Sequence, residues 1–304
     1  MDDSELRSEQ RTGVWFALGA YGTWGVAPVY FMLIAYATPV EIIAHRIVWS
    51  VLILGTLILV RRQLFALRHL DASKIGWLAV SGALVAVNWG VFVWALHNDR
   101  MLETSLGYYI NPLVNMLLGG LFLGERLRSW QKIAALTATL GVCNEIFSVG
   151  VLPWAGLTLA FTFGFYGLVR KKLAVDATIG LAVETTLMLP LALAYLIFLT
   201  LSGAGSIAAG DSSEVMLLAF GGLVTVVPLV CFAAAALRLP LTVLGFFQYL
   251  APSLTALLAV FVYGEAFTFS RMVTFGCIWL ALLIFSVEGL YHQGRLRQRR
   301  GEAA

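Results

Sequence analysis

Ten apolar stretches run along the chain, and short polar segments separate them. A helix needs about 20 consecutive, mostly apolar residues to cross the hydrocarbon core of a bilayer. The pattern therefore predicts an all-α integral membrane protein with ten transmembrane helices. The predicted spans are 13–35, 40–60, 75–97, 102–123, 130–148, 153–170, 178–200, 214–236, 242–262 and 271–290.

The second half of the chain repeats the first at an offset of about 140 residues. The stretch Leu106–Glu125 pairs with Phe246–Glu265, and six of the twenty aligned pairs are identical. Each copy has a proline near its start and ends in Gly-Glu, at Gly124-Glu125 and at Gly264-Glu265. We therefore predict a tandem duplication of a five-helix unit.

Composition and charge support a membrane protein and predict its orientation. Hydrophobic residues make up 60% of the chain and charged residues only 12%, against about 25% charged in soluble domains. Lys and Arg accumulate on the cytoplasmic side of short loops. With both termini in the cytoplasm, seventeen of the 20 Lys and Arg residues fall on that side. They are Arg7, Arg11, Arg61, Arg62, Arg68, Lys74, Arg126, Arg128, Lys132, Arg170, Lys171, Lys172, Arg238, Arg295, Arg297, Arg299 and Arg300.

Only the first Gly-Glu motif has a basic flank. Arg126, Arg128 and Lys132 follow the first motif, whereas the residues at the matching positions after the second are neutral. The two copies are therefore expected to end on opposite faces of the membrane, which makes the duplication an inverted repeat, as in many secondary transporters. The predicted organisation is a cytoplasmic N-terminal segment (1–12), a first repeat (13–148), a second repeat (153–290) and a basic cytoplasmic tail (291–304).

Several classes of chemistry have no support in the sequence. Cys143, Cys231 and Cys277 lie in apolar segments without a CxxC motif, which favours small core residues over metal ligands or disulfides. The chain has no GxxxxGK[ST] loop, which argues against ATP-driven transport, and no Asp within a span. We therefore expect no cofactor and no metal. We also expect no nucleic-acid partner, because the basic residues are spread over short loops instead of forming one face.

The paired motifs resemble those of a known superfamily. The chain resembles the EamA-type drug/metabolite transporters, which also have ten spans in two halves. The likeness includes the paired motifs, Asn111-Pro112 before Gly124-Glu125 and Ala251-Pro252 before Gly264-Glu265. Within that superfamily three phrases are similar to the RarD subgroup, over a likeness that covers about residues 11–290. These phrases are Leu106–Leu127, Gly164–Lys172 and Leu244–Pro252. The resemblance implies a ten-helix permease of the bacterial plasma (inner) membrane, with a central cavity lined by spans one to four and six to nine.

Polar side chains at membrane depth predict where a solute binds. Tyr108, Asn111 and Asn115 share one face of the fourth span, and Gln248 and Thr255 occupy the matching face of the ninth. Polar groups within a bilayer mark helix contacts, a pathway or a site, and the alternative is that these residues only join helices. The predicted cavity residues are Trp24, Arg46, Asn88, Trp89, Tyr108, Asn111, Asn115, Tyr166, Gln248 and Thr255.

Three titratable side chains are candidates for coupling transport to protons. Glu184 lies in the seventh span and has no helix end to cap, while His45 and Arg46 lie at the corresponding level of the second. A Glu184 that meets Arg46 in only one conformation would exchange a proton during the cycle. The alternatives are a permanent Glu184–Arg46 pair and an Arg46 that extends outward to water. Glu41, in Thr38-Pro39-Val40-Glu41, is expected to belong to a capping box.

The leading functional prediction is a secondary-active permease for small organic metabolites or drugs. An aromatic-rich cavity with a few amides suits a flat, partly apolar solute, including aromatic and zwitterionic ones. Its expected partners are that solute, protons and the lipid bilayer, and the protein is expected to be a monomer or a homodimer. A channel-like facilitator is the alternative, while an intramembrane enzyme or a sensor is less favoured because the chain has no nucleophile motif and no sizeable extramembrane domain.

Overall fold

The computed structural model describes residues 3–98, 101–150, 154–262 and 268–301, which form helices joined by short connections. Gly264-Glu265, the second copy of the repeated motif, lies outside the described residues. The helices are α1 (Asp3–Leu33), α2 (Pro39–Val60), α3 (Leu64–Arg68), α4 (Ala72–His97), α5 (Met101–Leu123), α6 (Ser129–Val149), α7 (Trp154–Leu173), α8 (Ala177–Leu201), α9 (Gly205–Ala209), α10 (Ser212–Arg238), α11 (Leu241–Gln248), α12 (Leu250–Phe261) and α13 (Phe269–Gly301).

Eight segments of the described chain are long and apolar enough to cross a membrane. They lie in α1, α2, α4, α5, α8, α10, the α11–α12 pair and α13. The helices α6 and α7 have 21 and 20 residues, so their length also suits a span, but they are less apolar. In α6 this reflects residues such as Lys132, Asn144 and Glu145, and in α7 a basic last turn. The prediction of an all-α integral membrane protein is confirmed.

The ninth predicted span is divided into two helices. Pro252 has no N–H to donate to the carbonyl of Gln248 one turn earlier, and α11 ends at Gln248 while α12 begins at Leu250. The matching Pro112 leaves α5 continuous. The two copies of the repeated stretch therefore differ in backbone conformation although their sequences match.

Both terminal helices extend beyond the predicted spans. The helix α1 begins at Asp3 instead of residue 13, and α13 continues to Gly301 instead of ending at residue 290. Their outer ends carry charged residues, as expected for helical segments that leave the apolar part of a bilayer.

The packing of the helices has two-fold pseudo-symmetry. In the duplication α1 corresponds to α7, α2 to α8, α4 to α10, α5 to the α11–α12 pair and α6 to α13. The contact of α1 with α10 has its counterpart in α7 with α4, and that of α5 with α7 in α12 with α1. The contact of α2 with α10 likewise corresponds to α8 with α4. The two halves therefore bury equivalent surfaces against each other.

Corresponding helices that pack together run in opposite directions. At one end of the α6–α13 pair Arg128 contacts Glu288, and at the other end Asn144 contacts Ser270. In the α5–α11 pair the position of Gly119 lies beside Thr242, whereas Gly245 lies beside the carbonyl of Pro112. Antiparallel pairing of equivalent helices is what a two-fold axis in the membrane plane requires, and it is the arrangement expected of an inverted repeat.

Candidate functional site

Arg46 reaches from α2 to the middle of α10. Its Nε atom donates a hydrogen bond to Thr225 Oγ1 (2.7 Å), and its guanidinium lies 4.6 Å from the ring centre of Trp89 and 5.6 Å from that of Phe31. Both rings contribute cation–π attraction. The side chain therefore turns into the protein, and the alternative in which it extends to water does not describe this structure.

The surface around Arg46 is accessible although it lies deep within the protein. Tyr108 keeps 51% of its surface exposed while protein atoms surround it densely, and Trp89 is partly exposed. Tyr30 approaches Arg46 from α1 and donates its hydroxyl proton to the carbonyl of Leu217 (3.0 Å). Three of the predicted cavity residues, Arg46, Trp89 and Tyr108, are thus brought together.

Trp24 and Tyr166 belong to a packed aromatic cluster instead. Tyr166 is fully buried and stacks on Phe232, with ring centres 5.7 Å apart. Trp24 packs edge-on against Phe163 (5.5 Å) and also contacts Phe232. Because α1, α7 and α10 all contribute rings, this cluster joins the two halves.

The amides predicted to line the cavity are buried between α5 and α11. Asn115 Nδ2 donates to Gln248 Oε1 (2.6 Å), which links the repeated stretches across the pseudo-symmetry axis. Asn111 is 9% exposed and Asn115 is completely buried, and the Oδ1 atoms of both have no hydrogen-bond partner. Leaving a buried carbonyl oxygen unsatisfied is costly. The two Oδ1 atoms can therefore still accept hydrogen bonds that the present packing does not supply.

Asn88 and Thr255 join helices. Asn88 Nδ2 donates to the carbonyl of Leu159 (2.9 Å) and to Thr162 Oγ1 (3.0 Å), which fastens α4 to α7. Thr255 Oγ1 donates to the carbonyl of Gly25 (3.2 Å), which fastens α12 to α1. In this structure both residues have the packing role that the sequence analysis left open as the alternative.

Glu184 and Arg46 do not meet, because Glu184 is bound by another arginine. The carboxylate lies 3.5 Å from Arg170 Nη1, and both side chains are 1% exposed. Glu184 also accepts hydrogen bonds from Ser81 of α4 and from the hydroxyl of Tyr166 (3.5 Å). The hypothesis of a permanent Glu184–Arg46 pair is therefore wrong for this conformation.

Arg170 is a buried partner of Glu184, although the sequence analysis placed it among the loop cations. Its Nη2 atom also donates to the carbonyls of Asp176 and Ala177, in the turn that leads into α8. Gly180 makes room for it, since a Cβ atom there would lie 1.6 Å from Arg170 Nη1. The available signal was the spacing of Tyr166 and Arg170, which puts both on one helix face, but the adjacent Lys171 and Lys172 favoured a loop.

His45 and Glu41 lie on the same helix as Arg46 but have separate roles. His45 accepts a hydrogen bond at Nδ1 from Trp49 Nε1 (3.3 Å), and its buried Nε2 atom has no partner. Thr38 caps α2 as predicted, by accepting from the amide of Glu41 (3.3 Å). The Glu41 carboxylate instead accepts from the amide of Ser206 (2.8 Å) and so caps the short helix α9.

The first Gly-Glu motif ties one repeat to the other. Glu125 accepts hydrogen bonds from the amides of Leu241 and Thr242, both at 2.7 Å, and thus caps the N-terminus of α11. Lys171 donates to the carbonyls of Ala236 and Leu239 at the C-terminus of α10. A carboxylate at a helix start and an ammonium at a helix end both favour the helix dipole. On the side of the bundle that carries Glu125, the Glu125 contact therefore joins the two halves, while the Lys171 contact fastens α7 to α10 within the second repeat.

No group of three or more His, Cys, Asp or Glu side chains that could hold a metal occurs among the described residues. The three cysteines are free and partly buried within helices. The arrangement at Arg46 offers a fixed cation, aromatic rings and phenol groups, which can bind a solute.

Comparisons with known proteins agree with this architecture. A sequence profile of the EamA-like transporter family matches residues 11–144. Protein RarD of Escherichia coli (strain K12) is 48% identical over 289 residues, which cover 94% of this chain and 98% of that protein. An uncharacterized transporter of Vibrio cholerae is 47% identical over 286 residues, covering 93% and 95% of the two chains.

A solved crystal structure has the same fold. It covers 90% of this chain and 97% of its own with a TM-score of 0.70, at 18% sequence identity. The likeness to RarD, by contrast, is close and extends over nearly the whole length of both proteins. The chain belongs to the EamA-like transporter family and, within it, to the RarD subgroup.

Proposed function

We propose that this protein is a secondary-active permease that moves small organic metabolites or drugs across the bacterial inner membrane by alternating access. The observation that carries the proposal is the set of equivalent contacts between two inverted repeats. Exchanging the conformations of the two halves would open the closed side and close the accessible one. In this picture the side of Glu125 and Lys171 is shut and the region of Arg46 and Tyr108 is accessible.

The proposed solute is flat and partly apolar, aromatic or zwitterionic. Arg46, Trp89 and Tyr108 would contact it in the present conformation, while Asn111, Asn115 and Gln248 would reach it after rearrangement. The unpartnered Oδ1 atoms of Asn111 and Asn115 support this role. Trp24, Asn88, Tyr166 and Thr255 would shape the cavity from its walls.

The test of the function is transport by purified protein. A thermal-shift screen of amino acids, nucleosides and aromatic drugs identifies a solute, because a bound solute stabilises the folded state by mass action. That solute is then followed into proteoliposomes. Flux that saturates and accelerates when the solute is present on the opposite side supports a carrier, whereas unsaturated flux without exchange acceleration indicates a channel-like facilitator.

Replacing side chains of the amide layer should reduce transport per folded molecule. We expect Asn111→Leu to lower solute flux per folded molecule, because Leu removes an acceptor that no protein group uses. Gln248→Leu should lower both flux and stability, since it also removes the partner of Asn115. Flux is measured in proteoliposomes after normalisation to monodisperse protein. Normal flux per folded molecule in both variants would mean that the layer only packs helices.

The orientation proposed from the charge distribution has a direct test. Ser129 is the first residue of α6 and Thr268 directly precedes α13, both are exposed, and the two helices run antiparallel. In a background without Cys143, Cys231 and Cys277, a cysteine at Ser129 should react only from the cytoplasm. A cysteine at Thr268 should react with an impermeant maleimide from outside. Reaction of both from outside contradicts the proposed topology.

Proton linkage is proposed to act through Glu184. Protonation would neutralise the carboxylate and release Arg170, Ser81 and Tyr166, which tie α4 and α7 to α8. We expect a pH gradient to drive uptake in wild type and the Glu184→Gln variant to lose that response. Glu145→Gln, which alters a bond to Thr274 between α6 and α13, is the control and should keep it. An undiminished response in Glu184→Gln excludes Glu184 as the coupling group.

A further inference from the structure

Arg46 is a cation without a carboxylate partner. Arg128, Arg170 and Arg238 are paired with Glu288, Glu184 and Glu9. Among the described residues Arg46 makes no ion pair, and its electrostatic neighbours are the phenols of Tyr30 and Tyr108. An unpaired arginine at membrane depth is costly and marks a functional site more often than a packing contact. The charge that balances Arg46 is therefore expected to come from a ligand.

The guanidinium is held so that its two terminal nitrogens remain available. Nε is bound to Thr225 Oγ1 (2.7 Å), and this hydroxyl donates in turn to the carbonyl of Gly221 (2.7 Å). Trp89 contributes a ring at 4.6 Å. The Nη1 and Nη2 atoms make no hydrogen bond to the described residues, and neither is among the buried unsatisfied atoms. They therefore present a free fork of donors to the accessible region.

The backbone beside Arg46 is also adapted to it. A Cβ atom at Gly221 would lie 3.1 Å from Arg46 Cγ and 2.7 Å from the hydroxyl oxygen of Tyr30. Glycine at this position lets both side chains pass α10. Tyr30 gives its proton to Leu217, whereas the hydroxyl of Tyr108 has no hydrogen-bond partner among the described residues and can donate to a ligand. Three donor atoms, Nη1 and Nη2 of Arg46 and the hydroxyl oxygen of Tyr108, thus lie near each other without an acceptor among the described residues.

We propose that this site binds the carboxylate of a small organic solute, with Arg46 as its counter-ion. A guanidinium edge matches the two oxygens of a carboxylate in a bidentate pair. A single positive charge balances one carboxylate, whereas a phosphate monoester carries close to two negative charges at neutral pH. Trp89 and Tyr108 border the site and favour a solute whose carboxylate adjoins a ring. The inference rests on the proposed function and narrows its substrate to organic acids and zwitterions.

The test compares acids with their uncharged amides. Purified protein in a neutral detergent is titrated with benzoate, phenylacetate and indole-3-acetate, and with the three corresponding amides, while its melting temperature is recorded. At least one acid should raise the melting temperature, and its amide should not. Arg46→Gln should weaken the affinity for that acid by at least about tenfold, as expected for a lost charge-assisted pair. Arg46→Lys should recover part of it.

Two further variants keep the result independent of folding. Without ligand, Arg46→Gln should melt at a higher temperature than wild type, because it removes an unpaired charge at membrane depth. Thr225→Val leaves the charge but releases Nε, and it should weaken binding less than Arg46→Gln. Arg126→Gln, which replaces an exposed arginine outside the helices, should bind like wild type.

The outcomes separate this site from the transport activity. Equal stabilisation by acids and amides, no stabilisation by any acid, or undiminished binding in Arg46→Gln overturns the carboxylate site. Stabilisation by dihexanoyl phosphatidylglycerol but by no acid reassigns the cation to a lipid phosphate and also overturns it. Exchange of a neutral solute that survives Arg46→Gln, together with no stabilisation by any acid, keeps the permease and rejects this site. Acid binding at Arg46 without flux keeps the site and rejects the permease.

Discussion

Replacing Glu184 by leucine should destabilise the folded protein by about 3–5 kcal/mol, because the change leaves the Arg170 guanidinium buried without its counter-ion. Arg170 and Glu184 are each 1% exposed, so water cannot take the place of the missing partner. The double replacement of Glu184 and Arg170 by leucine should recover most of the loss, since an apolar pair has no charge to desolvate.

The measurement is a double-mutant cycle of unfolding free energies in mixed micelles. The control is the Arg128–Glu288 pair, in which Arg128 is 48% exposed, and its cycle should give less than about 1 kcal/mol of coupling. Equal destabilisation by Glu184→Leu and by the double variant would contradict the assignment of a buried, mutually dependent pair. Transport by the double variant then reports whether the charges serve function in addition to folding.

The helices and their duplication could be predicted from the sequence because both follow from local patterns. Apolar runs of spanning length predict helices, and the offset between Leu106–Glu125 and Phe246–Glu265 predicts equivalent packing. The break at Tyr249 is only half predictable. Pro112 and Pro252 remove the same hydrogen bond, yet only α11–α12 separates, so neighbouring helices decide whether the backbone stays continuous.

The partner of Glu184 could not be predicted, because it depends on distant packing. The repeat offset brings Glu184 to the level of His45 and Arg46 in sequence, and it says nothing about which side chains turn inward. Arg170 is drawn inward because Gly180 leaves a space against α7 and because the first turn of α8 offers carbonyl acceptors. Both features belong to α8 and to the turn that precedes it, and neither is visible in the local sequence around Arg170.

In the repeated Gly-Glu motif, too, one feature could be predicted from the sequence and another depends on distant packing. Its recurrence is evident from the sequence, and Gly124 adopts a positive φ of 65°, which suits glycine after a helix end. The acceptor function of Glu125 is not evident, because the amides that it binds lie at Leu241 and Thr242 in the other repeat. The motif is therefore more than a helix terminator: it connects the end of α5 to the start of the helix that packs against it.

Replacing Glu125 by alanine should open this side of the bundle. The change removes two charge-assisted hydrogen bonds of 2.7 Å and leaves the first amides of α11 unpaired, which should cost about 2–3 kcal/mol. Because α11 carries Gln248, the partner of Asn115, loss of the cap should also loosen the layer between the halves.

Labelling of a cysteine at Thr242 measures this opening. Thr242 is 5% exposed, so a Thr242→Cys protein should react slowly with a maleimide, and adding Glu125→Ala should raise the rate about 30-fold, the equivalent of 2 kcal/mol. Glu125→Gln keeps one acceptor oxygen but turns an amide donor toward the second N–H, so its rate should fall between the two. Glu288→Ala, at the α6–α13 contact, is the control for general loosening and should leave the rate unchanged. A rate that rises equally in Glu288→Ala, or stays constant in Glu125→Ala, means that the cap does not hold this side closed.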